Sequence, residues 1–293
     1  METLIAQHHV PIAYSKSVAT SAIAVRSAER RTPVPLELWH LLSLDAPSVA
    51  ALWTLFLADT VHATLPWTAP VALALAVWIF YAADRLGDAR GSSSDLEERH
   101  RFHARHRRGF LIAIGCAAPM LATLVIALPT EIRTAWLLLV LPLCGYAAAV
   151  HWLTLRVPKE MMVGIFFAAA IAAPCILQDP RPIQGAVAVA FGILCCLNCI
   201  GIARAEHAET GRVTGWMVRK FRILTLLFAV AACVAALAFQ QAPGPFLAIA
   251  FAATLLHLLD RLAPHLSSLR TRALADAALL TPILIWPLMP YIR

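Results

Sequence analysis

Nine apolar segments, most of them long enough to cross a bilayer, follow one another from residue 40 to residue 290. They run over 40–62, 66–83, 109–128, 134–153, 160–178, 183–203, 222–240, 244–260 and 272–290. The hydrocarbon core of a membrane is about 30 Å thick, and a helix needs roughly 20 apolar residues to cross it. Inside lipid the backbone must satisfy its own hydrogen bonds, which leaves helices or a closed barrel. Long runs rich in Ala and Leu select helices, because a barrel strand shows short alternation instead. Composition agrees with this reading. The chain is 60% hydrophobic and 14% charged, against about 25% charged residues in a soluble domain. The expected fold class is therefore an all-α integral membrane protein. Its nine-transmembrane-helix bundle occupies 38–293, behind a mixed N-terminal tail at 1–37.

Proline and glycine divide several segments, at Leu65-Pro66, Leu128-Pro129-Thr130, Asp179-Pro180-Arg181-Pro182 and Ala242-Pro243-Gly244-Pro245. In the tail, basic residues follow the apolar stretches and no cleavage site can be found. The tail is expected to be no signal peptide.

Charge sets the orientation. With the tail inside, 21 of the 24 Lys and Arg residues fall on inner segments. Only Arg133, Arg181 and Arg293 remain outside. A wrong number of crossings would scramble this asymmetry, so it predicts nine spans and a cytoplasmic N-terminus in a multi-pass protein of the cell membrane. The net charge of +7 is explained by the same rule, and no nucleic-acid partner is expected. All seven cysteines lie in apolar segments, where sulfur packs as a small apolar group. Cys196 and Cys199 have redox-like spacing but suit a helix contact.

Two inner connections are long, 84–108 and 204–221, and they follow the second and sixth segments. This spacing predicts two similar halves facing each other across a central cavity. The first connection opens with Tyr81-Ala-Ala-Asp84-Arg85-Leu-Gly-Asp88. Asp84 and Asp88 are four apart and share a helix face. Two carboxylates there repel one another unless a cation lies between them, and hard oxygen donors suit Mg²⁺. An interfacial cap, with Asp84 paired to Arg85 or to a neighbouring helix, fits the spacing equally well.

The stretch from Glu97 to Arg108 carries His100, His103 and His106 among five arginines. Helical rotation spreads the histidines too widely for a metal, and a basic surface meeting anionic headgroups or a diphosphate is the better reading. At the end of the sixth segment, Glu206 and Glu209 form a weaker acidic pair beside Arg204. Lys159 opens the fifth segment, where it reaches a phosphate or snorkels to the interface. Asp45 and Asp59 stand near the ends of the first segment, and Asp260 with Arg261 reads as a local ion pair.

Nine helices, an inner N-terminus and acidic motifs after the second and sixth helices together resemble the UbiA superfamily of intramembrane prenyltransferases. The resemblance covers residue 40 to the end. Asp84, Arg85 and Asp88 match the second half of that family's first motif, while Phe80 and Tyr81 replace its Asn and Asp. The family's second motif is Asp-x-x-x-Asp. Here no aspartate stands between Asp179 and Asp260, so Glu206 and Glu209 are the only acidic stand-ins. Lys159-Glu160 followed by Val163-Gly164 also looks like the family.

The resemblance implies a divergent, Mg²⁺-dependent prenyltransferase with Asp84 and Asp88 as catalytic metal ligands, joined by Glu206 and Glu209. Arg85, Lys159 and Arg204 would bind the diphosphate of an isoprenyl donor, and a lipophilic acceptor would take the isoprenyl group. A catalytically inactive UbiA-like protein that binds a lipid or a partner is the alternative. A transporter is disfavoured, because the acidic pairs sit at an interface rather than at the midplane.

Overall fold

A computed structural model describes residues 34–88, 98–152, 159–205 and 212–292. The chain divides into two units, Met1–Pro35 and Leu36–Arg293. The second is a helical bundle, and no strand occurs among the described residues. The helices are α1 (Pro35–Leu41), α2 (Asp45–Thr60), α3 (Thr68–Asp88), α4 (Glu98–Arg105), α5 (Arg107–Ile126), α6 (Thr130–Trp152), α7 (Lys159–Gln178), α8 (Pro182–Ala205), α9 (Arg212–Ala238), α10 (Pro243–Leu262) and α11 (Ser268–Ala277). The chain then finishes in short helical turns, α12 (Pro282–Ile285) and α13 (Met289–Ile292) among them.

Six helical stretches are long and apolar enough to cross a membrane: Thr68–Gly87, Arg107–Ile126, Pro182–Ala205, Gly215–Ala238, Pro243–His265 and Ser268–Tyr291. α1 and α2 pass the same test only together, as a pair bent by 91°. α7 contributes a shorter apolar helix, Gly164–Gln178. α6 spans 23 residues and carries Glu131 in its first turn.

Two segments expected to be single helices are broken. In the first, Ser43 adopts a left-handed backbone at φ 59°, which ends α1. Asp45 then opens α2, with Pro47 in the first turn, where a missing N–H costs no hydrogen bond. In the last, Pro282, Pro287 and Pro290 cut the run beyond Ala277 into short helical turns. Each proline lacks the N–H that would continue an α-helical ladder.

α9 packs along α10, α7 along α8, α2 along α3, and α3 along α5. α8 lies against α7, α9, α10 and α11. Trp53, Phe56, Phe191, Ile171 and Ile249 form the centre of the core, all within 1% of complete burial. Ala248, Ala252 and Ala253 of α10 are fully buried. Small side chains of this kind let membrane helices approach closely. α7 and α8 approach closely at Gly164. A Cβ on Gly164 would stand 2.5 Å from Cys196 Sγ and 2.6 Å from the Gly192 carbonyl oxygen. Cys196 thus occupies a helix contact.

Indole N–H groups satisfy carbonyls at irregular places. Pro174 inside α7 leaves the carbonyl of Ala170, four residues earlier, without its helical donor. Trp136 Nε1 donates to that oxygen at 2.9 Å. Trp78 Nε1 donates to Leu42 O at the α1–α2 break, 3.1 Å away. Trp53 Nε1 donates to Leu279 O in the broken C-terminal run, at 2.8 Å.

Candidate functional site

The chain gathers its buried ionisable groups at one end of the bundle. Asp45, at the start of α2, is almost fully buried. Its Oδ2 lies 3.2 Å from Arg85 of α3 and 2.6 Å from His40 Nδ1 of α1. His40 Nδ1 also lies 3.3 Å from Asp276 Oδ2 of α11. Asn198 of α8 donates to Asp276 Oδ1 at 2.8 Å. Five helices, α1, α2, α3, α8 and α11, therefore meet in one charged network. Ions taken out of water this way persist only when paired and hydrogen-bonded.

Arg85 is the hub. It donates to His40 O at 2.6 Å and to Ser43 Oγ at 3.0 Å. The left-handed turn at Ser43 is what turns that hydroxyl toward Arg85. Ser43 Oγ also meets His103 Nε2 of α4 at 3.3 Å. His103 is completely buried and stacks on Phe110 with ring centroids 4.4 Å apart.

A second cluster lies on α8, α9 and α10. Asp260 accepts from Arg204 Nε at 2.7 Å and from Arg222 Nε at 2.6 Å. Arg204 also donates to Val218 O at 2.7 Å. The expected local pair of Asp260 with Arg261 is corrected here: the carboxylate turns to neighbouring helices and leaves Arg261 exposed. Arg270 of α11 donates to Glu37 of α1 at 2.7 Å.

Among the residues singled out from sequence, Asp84 is exposed near the C-terminal end of α3, while its neighbour Arg85 is buried. One step along a helix rotates a side chain by about 100°, which separates the two. Asp88 ends α3 and Lys159 begins α7, but their side chains lie outside the described residues. Glu206 and Glu209 lie outside them too, as do residues 1–33 of the tail. Arg85 and Arg204 are not brought together; each faces a carboxylate, Asp45 and Asp260. α3 and α8 do not pack along one another. Two small pockets occur on α8, one lined by Leu57, Cys175 and Val187 and the other by Gly201, Phe221 and Asp260. Neither is lined by Asp84 or Arg85. The histidines between Glu97 and Arg108 also part company. His103 turns inward to Ser43, whereas His106 is exposed and meets Phe102 O at 2.9 Å.

Sequence reasoning flagged Asp45 but missed His40, Asn198 and Asp276. An ionisable group within an apolar segment is a signal in itself, and Asp276 in 272–290 carried it. One ligand atom each from His40, Asp45 and Asp276 lies within 4.8 Å of the others. An imidazole with two carboxylates is a donor set for a transition metal rather than for Mg²⁺. Arg85 already supplies a cation to Asp45 at that point, so the group reads as a structural charge network.

No protein-family model, no curated protein and no solved structure matches the chain.

Proposed function

We propose that the chain is a nine-crossing protein of the cell membrane with a cytoplasmic N-terminus, related to the UbiA superfamily. In this reading it is a divergent prenyltransferase that moves an isoprenyl group from an isoprenyl diphosphate to a lipophilic acceptor. Nine crossings follow if the bent pair α1–α2, α6 and α7 each cross along with the six longer apolar stretches. The orientation rests on the Lys and Arg asymmetry of the loops.

One observation carries the site assignment. The Asp84 carboxylate is exposed at the end of an apolar helix, while Arg85 beside it is locked into the bundle. That lock sets the rotation of α3 and holds the face shared by Asp84 and Asp88 away from Asp45. Mg²⁺ held by Asp84 and Asp88, with Glu206 and Glu209 as further candidates, would neutralise the departing diphosphate. Lys159 at the start of α7 would meet that anion. Arg85 and Arg204 act as positioning residues, since carboxylates already engage them. The apolar bundle would keep water from the allylic centre.

The second reading is a UbiA-like protein without catalysis that binds a lipid or a partner. It is favoured by the same closure of Arg85 and Arg204 in ion pairs, which removes two of the three cations assigned to the diphosphate. Purified protein incubated with a panel of radiolabelled isoprenyl diphosphates separates the readings. The first expects Mg²⁺-dependent label in lipophilic products, lost in Asp84→Ala. Donor binding without product supports the second, and neither binding nor product overturns both for isoprenoid diphosphates.

A further inference from the structure

From residue 99 to residue 130 the chain contains no acidic residue. Within that stretch Arg101, Arg105, Arg107 and Arg108 are all exposed. Elsewhere three exposed or half-buried arginines find carboxylates, Arg181 with Asp179, Arg222 with Asp260 and Arg270 with Glu37, whereas Arg133, Arg219 and Arg261 stand apart from one another in the sequence. Among the described residues none of the four pairs with a carboxylate. They crowd the junction of α4 and α5, so they repel one another unless an anion lies between them.

Side-chain contacts brace the junction. His103 fastens α4 to Ser43 at 3.3 Å and stacks on Phe110 of α5. Phe102 lies against His106 with centroids 4.3 Å apart and the rings tilted by 38°. The arginines therefore stand on helices braced against the bundle, which limits the freedom lost on binding. Beyond them α5 is one of the least buried helices, with only Phe110 and Ala117 enclosed. Leu111 and Ile112 are 49% and 68% exposed. Positive charge thus continues directly into an outward apolar surface on one helix, which is the polarity of a lipid molecule with its headgroup at the arginines and its chains along α5.

We propose that Arg101, Arg105, Arg107 and Arg108 form a binding surface for the phosphate of an anionic phospholipid. The surface is independent of the transferase reading, because it uses neither Asp84 nor Asp88. It commits to lipid rather than free phosphate because the exposed Leu111 and Ile112 give acyl chains a place to lie.

The test uses the full chain in nanodiscs made from equal phosphatidylglycerol and phosphatidylethanolamine. After mild detergent extraction, retained lipid is quantified by mass spectrometry. The wild type retains phosphatidylglycerol preferentially, and the preference falls as salt rises. Replacing all four arginines with glutamine lowers the ratio of the two lipids at least ten-fold, since each basic residue near an anionic surface contributes roughly five-fold. Arg133→Gln with Arg181→Gln, remote in sequence, leaves the ratio unchanged. Thermal melting of each variant checks folding. If the quadruple variant does not fold, Arg101→Gln and Arg108→Gln are measured singly, with roughly five-fold losses expected. An unchanged ratio in folded variants overturns the proposal. So does displacement of phosphatidylglycerol by pyrophosphate at constant ionic strength, which would make this a site for free phosphate.

Discussion

Arg85 and Asp45 stand 3.2 Å apart with side chains 7% and 1% exposed, and they join α3 to the first turn of α2. Removing one partner strands the other charge in an apolar interior. Arg85→Met or Asp45→Leu alone should cost about 3–5 kcal/mol, read as a large drop in melting temperature in detergent. The double variant should recover part of that loss, because no unpaired ion remains. If the double variant loses as much as the two singles combined, the pair is not the coupling described.

Asp84 predicts the opposite profile. Its carboxylate is exposed, so Asp84→Asn should leave stability within about 0.5 kcal/mol. If the proposed site is right, Mg²⁺-dependent isoprenyl transfer should vanish in the same protein. Melting curves and a product assay on one preparation check both halves.

Trp136 and Pro174 should be coupled although they lie on different helices. Trp136→Phe leaves the Ala170 carbonyl oxygen without the donor seen at 2.9 Å, at a cost of about 1–3 kcal/mol. Pro174→Ala restores a backbone N–H in reach of that carbonyl. In a double-mutant cycle the tryptophan should therefore matter less once the proline is gone.

The α7–α8 crossing should be sensitive on one helix only. Gly164→Ala drives a Cβ to within 2.6 Å of the Gly192 carbonyl oxygen, whereas a Cβ on Gly192 meets nothing closer than 3.4 Å. Overpacking at Gly164 should cost about 1–3 kcal/mol, and Gly192→Ala should be much milder. Thermal melting of the two variants decides it.

An odd number of crossings puts the two termini on opposite faces. Reporters fused to Met1 and to Arg293 should therefore show opposite compartments, the first cytoplasmic. Both reporters on one face would exclude nine crossings, and seven with them.

Apolar length and proline punctuation made the helical character and most helix positions legible in the sequence, because lipid allows so few backbone solutions. The break at Ser43 was not legible. A serine in a left-handed turn has no sequence pattern of its own, and it is stabilised by Arg85, 42 residues away in the chain. The motif around Asp84 was visible, but spacing could not tell that Arg85 would turn inward to Asp45. Asp276 and Asn198 were missed for a related reason. Each is a single polar residue in an apolar run, and their connection with His40 exists only once α8, α11 and α1 have come together.

The network at Asp45 also constrains how the chain is made. Synthesis from the N-terminus delivers α2 first, with a carboxylate that is expensive to pass into lipid until α3 arrives with Arg85. His40 and Asn198 are already waiting when α11, made later, brings Asp276. A nascent chain halted before α11 would hold the early ion pair but leave the imidazole without its second carboxylate, marking incomplete products by an open seam between α1 and the missing α11.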